Sequence, residues 1–257
     1  MSPAGHAPAG PSMTDAVDGA GVEAYRAARS AVLERIAAAC RRAGRDPALV
    51  TLVAVSKTVD AARLRAAVAA GLDRLGENRV QEATTKALLV PGARWQLVGP
   101  LQANKVRRAL EVFEAVQSVD SVSLAQRMAR LADEVRPGAR YPVLLQVNVD
   151  QDPTKAGFPP AELGRAIDQI AGLASLDVRG LMTIGRLVAD VDEARPTFRR
   201  LRELSVQLRQ GGARLGADLS MGMTDDFEVA VEEGATIVRI GRALFGERPD
   251  HGGQEPR

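Results

Sequence analysis

Short apolar runs alternate along this chain with stretches whose apolar residues recur every three or four positions. The runs at 51 to 57, 73 to 77, 95 to 99, 115 to 119, 142 to 149, 178 to 184, 217 to 221 and 236 to 241 predict eight strands. The periodic stretches at 60 to 71, 78 to 89, 102 to 110, 121 to 135, 159 to 173, 190 to 211 and 225 to 234 predict helices between them, and a further helix is expected near 23 to 43. Asp60 and Asp225 stand where a side chain can cap a helix start, and Gly44, Gly71 and Gly234 suit helix ends. Strict alternation of strand and helix predicts an α/β fold, a single (β/α)8 TIM barrel with an extra N-terminal helix. An open doubly wound sheet is the alternative. It usually carries a Gly-rich turn after its first strand, where this chain has Ser56-Lys57-Thr58-Val59. The barrel is expected over residues 22–248. The Pro/Gly/Ala-rich residues 1–21 are expected to form a disordered tail, and 249–257 a flexible one.

At 257 residues and 46% hydrophobic content, the chain is long enough to bury one large core. Its net charge is only +2 and its aromatic content 3%, so it lacks both the basic tract and the stacking surface that nucleic acid requires. No apolar stretch approaches a membrane span, and no basic start precedes an apolar leader; a cytoplasmic protein is expected. The absence of an obvious exposed apolar stripe makes a monomer the expectation. Both histidines, His6 and His251, fall in the tails, which removes histidine from the folded body and with it the Ser-His-Asp, Cys-His and histidine-rich zinc arrangements. Cys40 shares a helical stripe with Leu33 and Ile36 and reads as a core residue.

Lysine carries the chemistry. Only four of the 34 basic residues are lysines: Lys57, Lys86, Lys105 and Lys155. Arginine keeps its proton in a protein, whereas a sheltered lysine can lose it and attack an aldehyde. Lys57, at the end of the first apolar strand, is therefore the candidate covalent anchor; the alternative is a strand-end lysine reaching solvent. Barrels of this kind work at the carboxyl ends of their strands and commonly bind phosphate after strands seven and eight. There stand Leu219-Ser220-Met221-Gly222-Met223-Thr224-Asp225-Asp226 and Val238-Arg239-Ile240-Gly241-Arg242. Ser220 supplies a hydroxyl, Gly222 and Gly241 allow close backbone approach, and Arg242 adds a cation. An aldehyde-reactive lysine beside a phosphate cradle describes a site for pyridoxal 5′-phosphate (PLP). Arg239, two residues before Gly241, would face the pyridine nitrogen, because side chains alternate along a strand. Lys86 reads as exposed on its helix. Asp225 and Asp226 read as helix-capping acids, not as a metal pair, and no metal is expected.

The segments SKTVD (56 to 60), GENRVQEA (76 to 83), WQLVGPLQANK (95 to 105), QVNVDQDPTKAGF (146 to 158), LMTIG (181 to 185), LSMGMTDDFEVAVEEGATIVRIG (219 to 241) and ALFGER (243 to 248) resemble the YggS/PROSC, or pyridoxal phosphate homeostasis, family. The resemblance implies a barrel of the alanine racemase N-terminal type that binds PLP without an established reaction. It also implies that Lys57 is the Schiff-base lysine, that Asn78 lies near the cofactor, and that Ser220, Gly241 and residue 242 belong to the phosphate site. Arg242 departs from the threonine or serine common in the family, and Gln96 from a frequent histidine. The expected function is buffering and supply of PLP to recipient apoenzymes. The competing expectation is an enzyme, either an amino-acid racemase or a Schiff-base lyase. A two-base racemase needs a second acid/base opposite the lysine, and neither Tyr25 nor Tyr141 is expected to reach the ring. Lys105 and Lys155 lie in the resembling segments and are candidates for cofactor capture or release.

Overall fold

A computed structural model describes residues 19–186 and 190–246. Eight parallel strands close a barrel in sequence order: β1 (Thr51–Val55), β2 (Arg74–Glu77), β3 (Arg94–Leu97), β4 (Ala115–Val119), β5 (Tyr141–Gln146), β6 (Leu176–Met182), β7 (Asp218–Ser220) and β8 (Ile237–Ile240). Closure pairs β8 with β1 and sets Arg239 beside Val53, so residues about 190 positions apart in sequence become neighbours. The open sheet is thereby excluded.

The helical layer comprises α1 (Gly19–Arg42), α2 (Ala61–Ala69), α3 (Val80–Leu89), α4 (Val106–Val112), α5 (Val122–Val135), α6 (Leu163–Ala171), α7 (Arg195–Gln210), α8 (Phe227–Glu232) and α9 (Arg242–Phe245). Their apolar spacing explains the packing. In α6, Leu163, Ala166, Ile167 and Ile170 recur at three- and four-residue intervals and are all buried. Asp60 caps α2 as expected, accepting the Arg63 N–H at 2.9 Å. Asp225 caps nothing and forms an ion pair with Arg242 instead. Asp226 turns back to accept the Met223 N–H at 2.6 Å.

The extra helix begins at Gly19, inside the stretch expected to be tail; residues 1–18 and 247–257 lie outside the described residues. It docks on α2, α8 and α9 through Tyr25, Val32, Ile36, Ala39 and Cys40. Ion pairs Arg35–Glu228 and Arg42–Glu232, at 2.9 and 2.6 Å, flank that seam. Cys40 is buried, and burial pushes its thiol pKa up, so it stays an inert part of the core. No helix among the described residues is long and apolar enough to cross a membrane, and no group of acids, cysteines or histidines there could hold a metal ion.

Candidate functional site

β1 ends at Val55, two residues earlier than the apolar run, and Lys57 falls in the turn that follows. Its neighbour Thr58 has φ 68°, in the left-handed region that a β-branched residue seldom enters. Glu82, from the first turn of α3, accepts the Thr58 N–H at 2.8 Å and holds that conformation. On the other side, Ser56 donates its hydroxyl to Glu77 at 2.7 Å and accepts Lys86 Nζ on its carbonyl at 2.8 Å.

A cavity of about 410 Å³ opens at this end of the barrel. Lys57, Asn78, Arg239, Gly241 and Arg242 line it, joined by Thr224 from the loop after β7. Val55, Val98 and Ile184 provide apolar wall. Five of the seven residues singled out from sequence thus meet around one hollow. Gly99 makes part of this possible, since a Cβ there would stand 2.5 Å from the Asn78 carbonyl oxygen and push β2 and β3 apart.

Ser220 and Gly222 are not on the cavity wall. Ser220 is fully buried in the barrel interior, where it accepts Arg239 Nη1 at 2.7 Å and donates to Gln117 Oε1 at 2.6 Å. Gly222 has φ 90°, and a Cβ on it would lie 2.5 Å from that of Ala230; this glycine is needed to seat α8. Thr224 is the residue that sequence reasoning passed over. Its signal was the hydroxyl-bearing position of LSMGM-(S/T)-DD, four residues beyond Ser220. Its Oγ1 accepts a long, 3.4 Å hydrogen bond from the Gly241 N–H, which ties the two loops expected to hold phosphate.

Arg239 is held from behind. Its Nη2 donates to the Thr183 carbonyl at 2.8 Å, and its Nη1 begins a one-way series of hydrogen bonds across the barrel. Beyond Ser220 and Gln117, Gln117 Nε2 donates to Gln96 Oε1 at 2.6 Å and Gln96 Nε2 to Glu114 at 2.8 Å. Gln96 therefore links the Gln117 amide to the Glu114 carboxylate at the position where a histidine is frequent in the resembling family. Burial lowers the Arg239 pKa to about 10, against an opposing pull from Asp226, yet the group remains a cation at neutral pH. Burial raises the Asp226 carboxyl pKa.

Lys86 is not exposed. Only 8% of it meets solvent, and its ammonium contacts Glu77 at 2.8 Å and Glu82 at 2.6 Å. The signal was available: Lys86 lies three residues after Ala83 and six after Val80, on the buried face of α3. Lys155 donates to the Gly185 carbonyl at 2.8 Å and lines a neighbouring hollow of about 290 Å³ with Asn148 and Thr154. Lys105 ends the short turn before α4 and lines neither hollow. A wider depression of about 670 Å³, between Arg140, Asp177, Arg179, Arg214 and Asp218, lies at the amino-terminal ends of β6 and β7 and contains no lysine.

Residues 28–249 match the family described as alanine racemase, N-terminal domain. A Pseudomonas aeruginosa protein named pyridoxal phosphate homeostasis protein is 46% identical over 226 residues, spanning 86% of this chain and 94% of that one. The protein of that name from Aquifex aeolicus is 42% identical over 221 residues, spanning 85% and 96%. Among solved structures, PipY of Synechococcus elongatus with PLP bound superposes with a TM-score of 0.74 at 41% identity, covering 84% of this chain and 100% of that one. Alanine racemase of Clostridium difficile has a TM-score of 0.65 at 16% identity, over 89% of this chain and 57% of its own, and shares the fold.

Proposed function

Because this chain belongs to the pyridoxal phosphate homeostasis protein family, within the wider family of alanine racemase N-terminal domains, we propose that it binds PLP and keeps it in reserve for other enzymes, with Lys57 as the point of attachment. One observation carries the reading: a single cavity brings Lys57 together with Arg239 and with Thr224, Gly241 and Arg242. Its volume suits a small aromatic cofactor, and its lining combines apolar wall with polar and charged groups. PLP supplies an aldehyde that condenses reversibly with an amine. Thr224, Gly241 and Arg242 would bind its phosphate, with Asn78 beside the ring and Arg239 toward the ring nitrogen. Arg239 stays charged at neutral pH, so it disfavours a second positive charge on that nitrogen and weakens the ring as an electron sink. Ser220 serves the site through Arg239, whose guanidinium it helps hold.

The commitments of both tyrosines favour a carrier over a racemase. Tyr25 accepts Arg63 Nε at 2.9 Å in the layer outside the barrel. Tyr141, at the start of β5, donates to the Phe113 carbonyl at 2.6 Å, and burial drives its pKa up. Neither tyrosine lines the cavity that contains Lys57, which supports the carrier reading. Recipients would be PLP-dependent apoenzymes in the cytoplasm, served by a monomeric carrier.

Mixing the purified protein with PLP tests this. A yellow complex that fails to form with Lys57→Ala, and that leaves the handedness of a panel of amino acids unchanged, is the expected outcome. Sustained racemisation that disappears in the same variant would make the protein an enzyme.

A further inference from the structure

The turn carrying Lys57 is gripped on both sides by one cluster of charges between the sheet and α3, buried at Glu77 and Lys86 and partly open at Glu82. Ser56 bonds Lys86 and Glu77, Thr58 bonds Glu82, and Lys86 joins the two carboxylates, so the residues flanking the lysine are tied to one connected cluster. Lys86 Nζ binds the Ser56 carbonyl, Glu77 Oε1 and Glu82 Oε1 at 2.6 to 2.8 Å. Glu77 takes the Ser56 hydroxyl at 2.7 Å and Glu82 takes the Thr58 amide at 2.8 Å. We propose that Glu82, Lys86 and Glu77 are positioning residues for Lys57, clamping the peptide on either side of it so that its amine is presented to the cavity. This rests on the PLP-binding reading and concerns how the attachment lysine is held.

A purely stabilising role accounts poorly for the arrangement. Burying an ion pair seldom stabilises a fold more than well-packed apolar residues would, because desolvation offsets the attraction. Here Glu77 is fully buried and its Oε2 has no hydrogen-bond partner, which adds a further cost. The cluster also maintains a positive φ at a β-branched residue; among the described residues only Thr58 and Gln151 depart from glycine in this way. Expensive features gathered around one residue are expected where geometry matters, and the residue at their centre is Lys57. Attachment needs that geometry. The Lys57 nitrogen must bond the aldehyde carbon as the amine's two hydrogens leave with the aldehyde oxygen as water, and a nitrogen free to wander seldom meets that carbon correctly.

Glu82→Ala and Glu82→Gln separate holding the lysine from shaping the cavity. The readouts are the rate at which PLP attaches, followed by absorbance, and the affinity for pyridoxine 5′-phosphate, which has the phosphate and ring but an alcohol for the aldehyde. We expect Glu82→Ala to slow attachment about 10-fold while affinity for the alcohol stays within about twofold, with Glu82→Gln restoring most of the rate because its amide oxygen still accepts the Thr58 N–H. Attachment at the wild-type rate in Glu82→Ala, or equal losses in both readouts, would overturn the clamp. Should Glu82→Ala fail to fold, amide exchange in the wild-type protein decides: the Thr58 amide is expected to be protected at least about 100-fold, and exchange at the rate of an open loop overturns the proposal. A wild-type protein that attaches no PLP at Lys57 would defeat the binding reading itself, and the clamp with it.

Discussion

Single side chains set the chemistry of this site, and their consequences can be separated. Ser220→Ala leaves Arg239 Nη1 and Gln117 Oε1 without their buried partner, which should cost about 1–3 kcal/mol of stability. Chemical denaturation would measure it, and PLP affinity should fall as Arg239 loosens. Arg242→Thr puts back the hydroxyl usual in the family and removes the long cation. Added salt should then weaken PLP binding less in the variant than in the wild type, because an exposed cation's contribution is screened; titrations at two ionic strengths compare them. Glu82 gives a pH signature. Burial would raise its pKa, but hydrogen bonds from Lys86 and the Thr58 amide outweigh that and leave it below the ordinary 4.5. A carboxyl lowered by folding contributes stability above its unfolded pKa and loses it as pH falls through the folded one. Acidification to below 4.5 should therefore lower the melting temperature less in Glu82→Gln than in the wild type. Lys57 stood out because lysine is scarce in an arginine-rich chain, and it lies on the cavity wall. The sequence pointed to Ser220 and not to Thr224 for the cavity wall because alternation tells which face of a strand a residue takes but not its depth along the barrel axis. Ser220 joins the buried polar layer with Gln96 and Gln117, while Thr224 reaches the cavity wall.

At the level of elements, all eight strands and the intervening helices were readable from the alternation of short apolar runs with segments of period 3.6, and the disagreements lie at their ends. β1 stops at Val55 although the strand was expected to run through Lys57, because the charged cluster under α3 draws the chain into a turn. That cluster was illegible from composition. A lysine in the last turn of a helix is normally solvated, and only the face it shares with Val80 and Ala83 marks it otherwise. Gly222 belongs to this scale too, since its requirement comes from the approach of α8 to the loop after β7. Gly222→Ala forces a Cβ against Ala230 and strains a backbone at φ 90°, so it should destabilise by about 1–3 kcal/mol. Thermal unfolding with and without PLP would expose a companion effect, a weaker stabilisation by the cofactor as Thr224 shifts.

The whole molecule assembles the site only on closure. Lys57 and Arg239 share a wall because β8 returns to β1, and the extra helix reinforces the same corner: Arg63 joins Tyr25 to the Phe245 carbonyl, at the end of α9. A site built this way cannot outlast the barrel. Loss of bound PLP and loss of helical signal should therefore coincide in urea, and the midpoint should rise with PLP concentration. The family's identity was visible in a few motifs, yet the reason those motifs sit together lies in a pairing between the first strand and the last that no local pattern encodes. The central claim is that Lys57 is where the cofactor is held, and its most direct test is borohydride reduction of the PLP-loaded protein followed by peptide mapping of the four lysines. The account predicts stoichiometric reduced label on the peptide containing Lys57. Recovery of that peptide unmodified, with label elsewhere or nowhere, would contradict it.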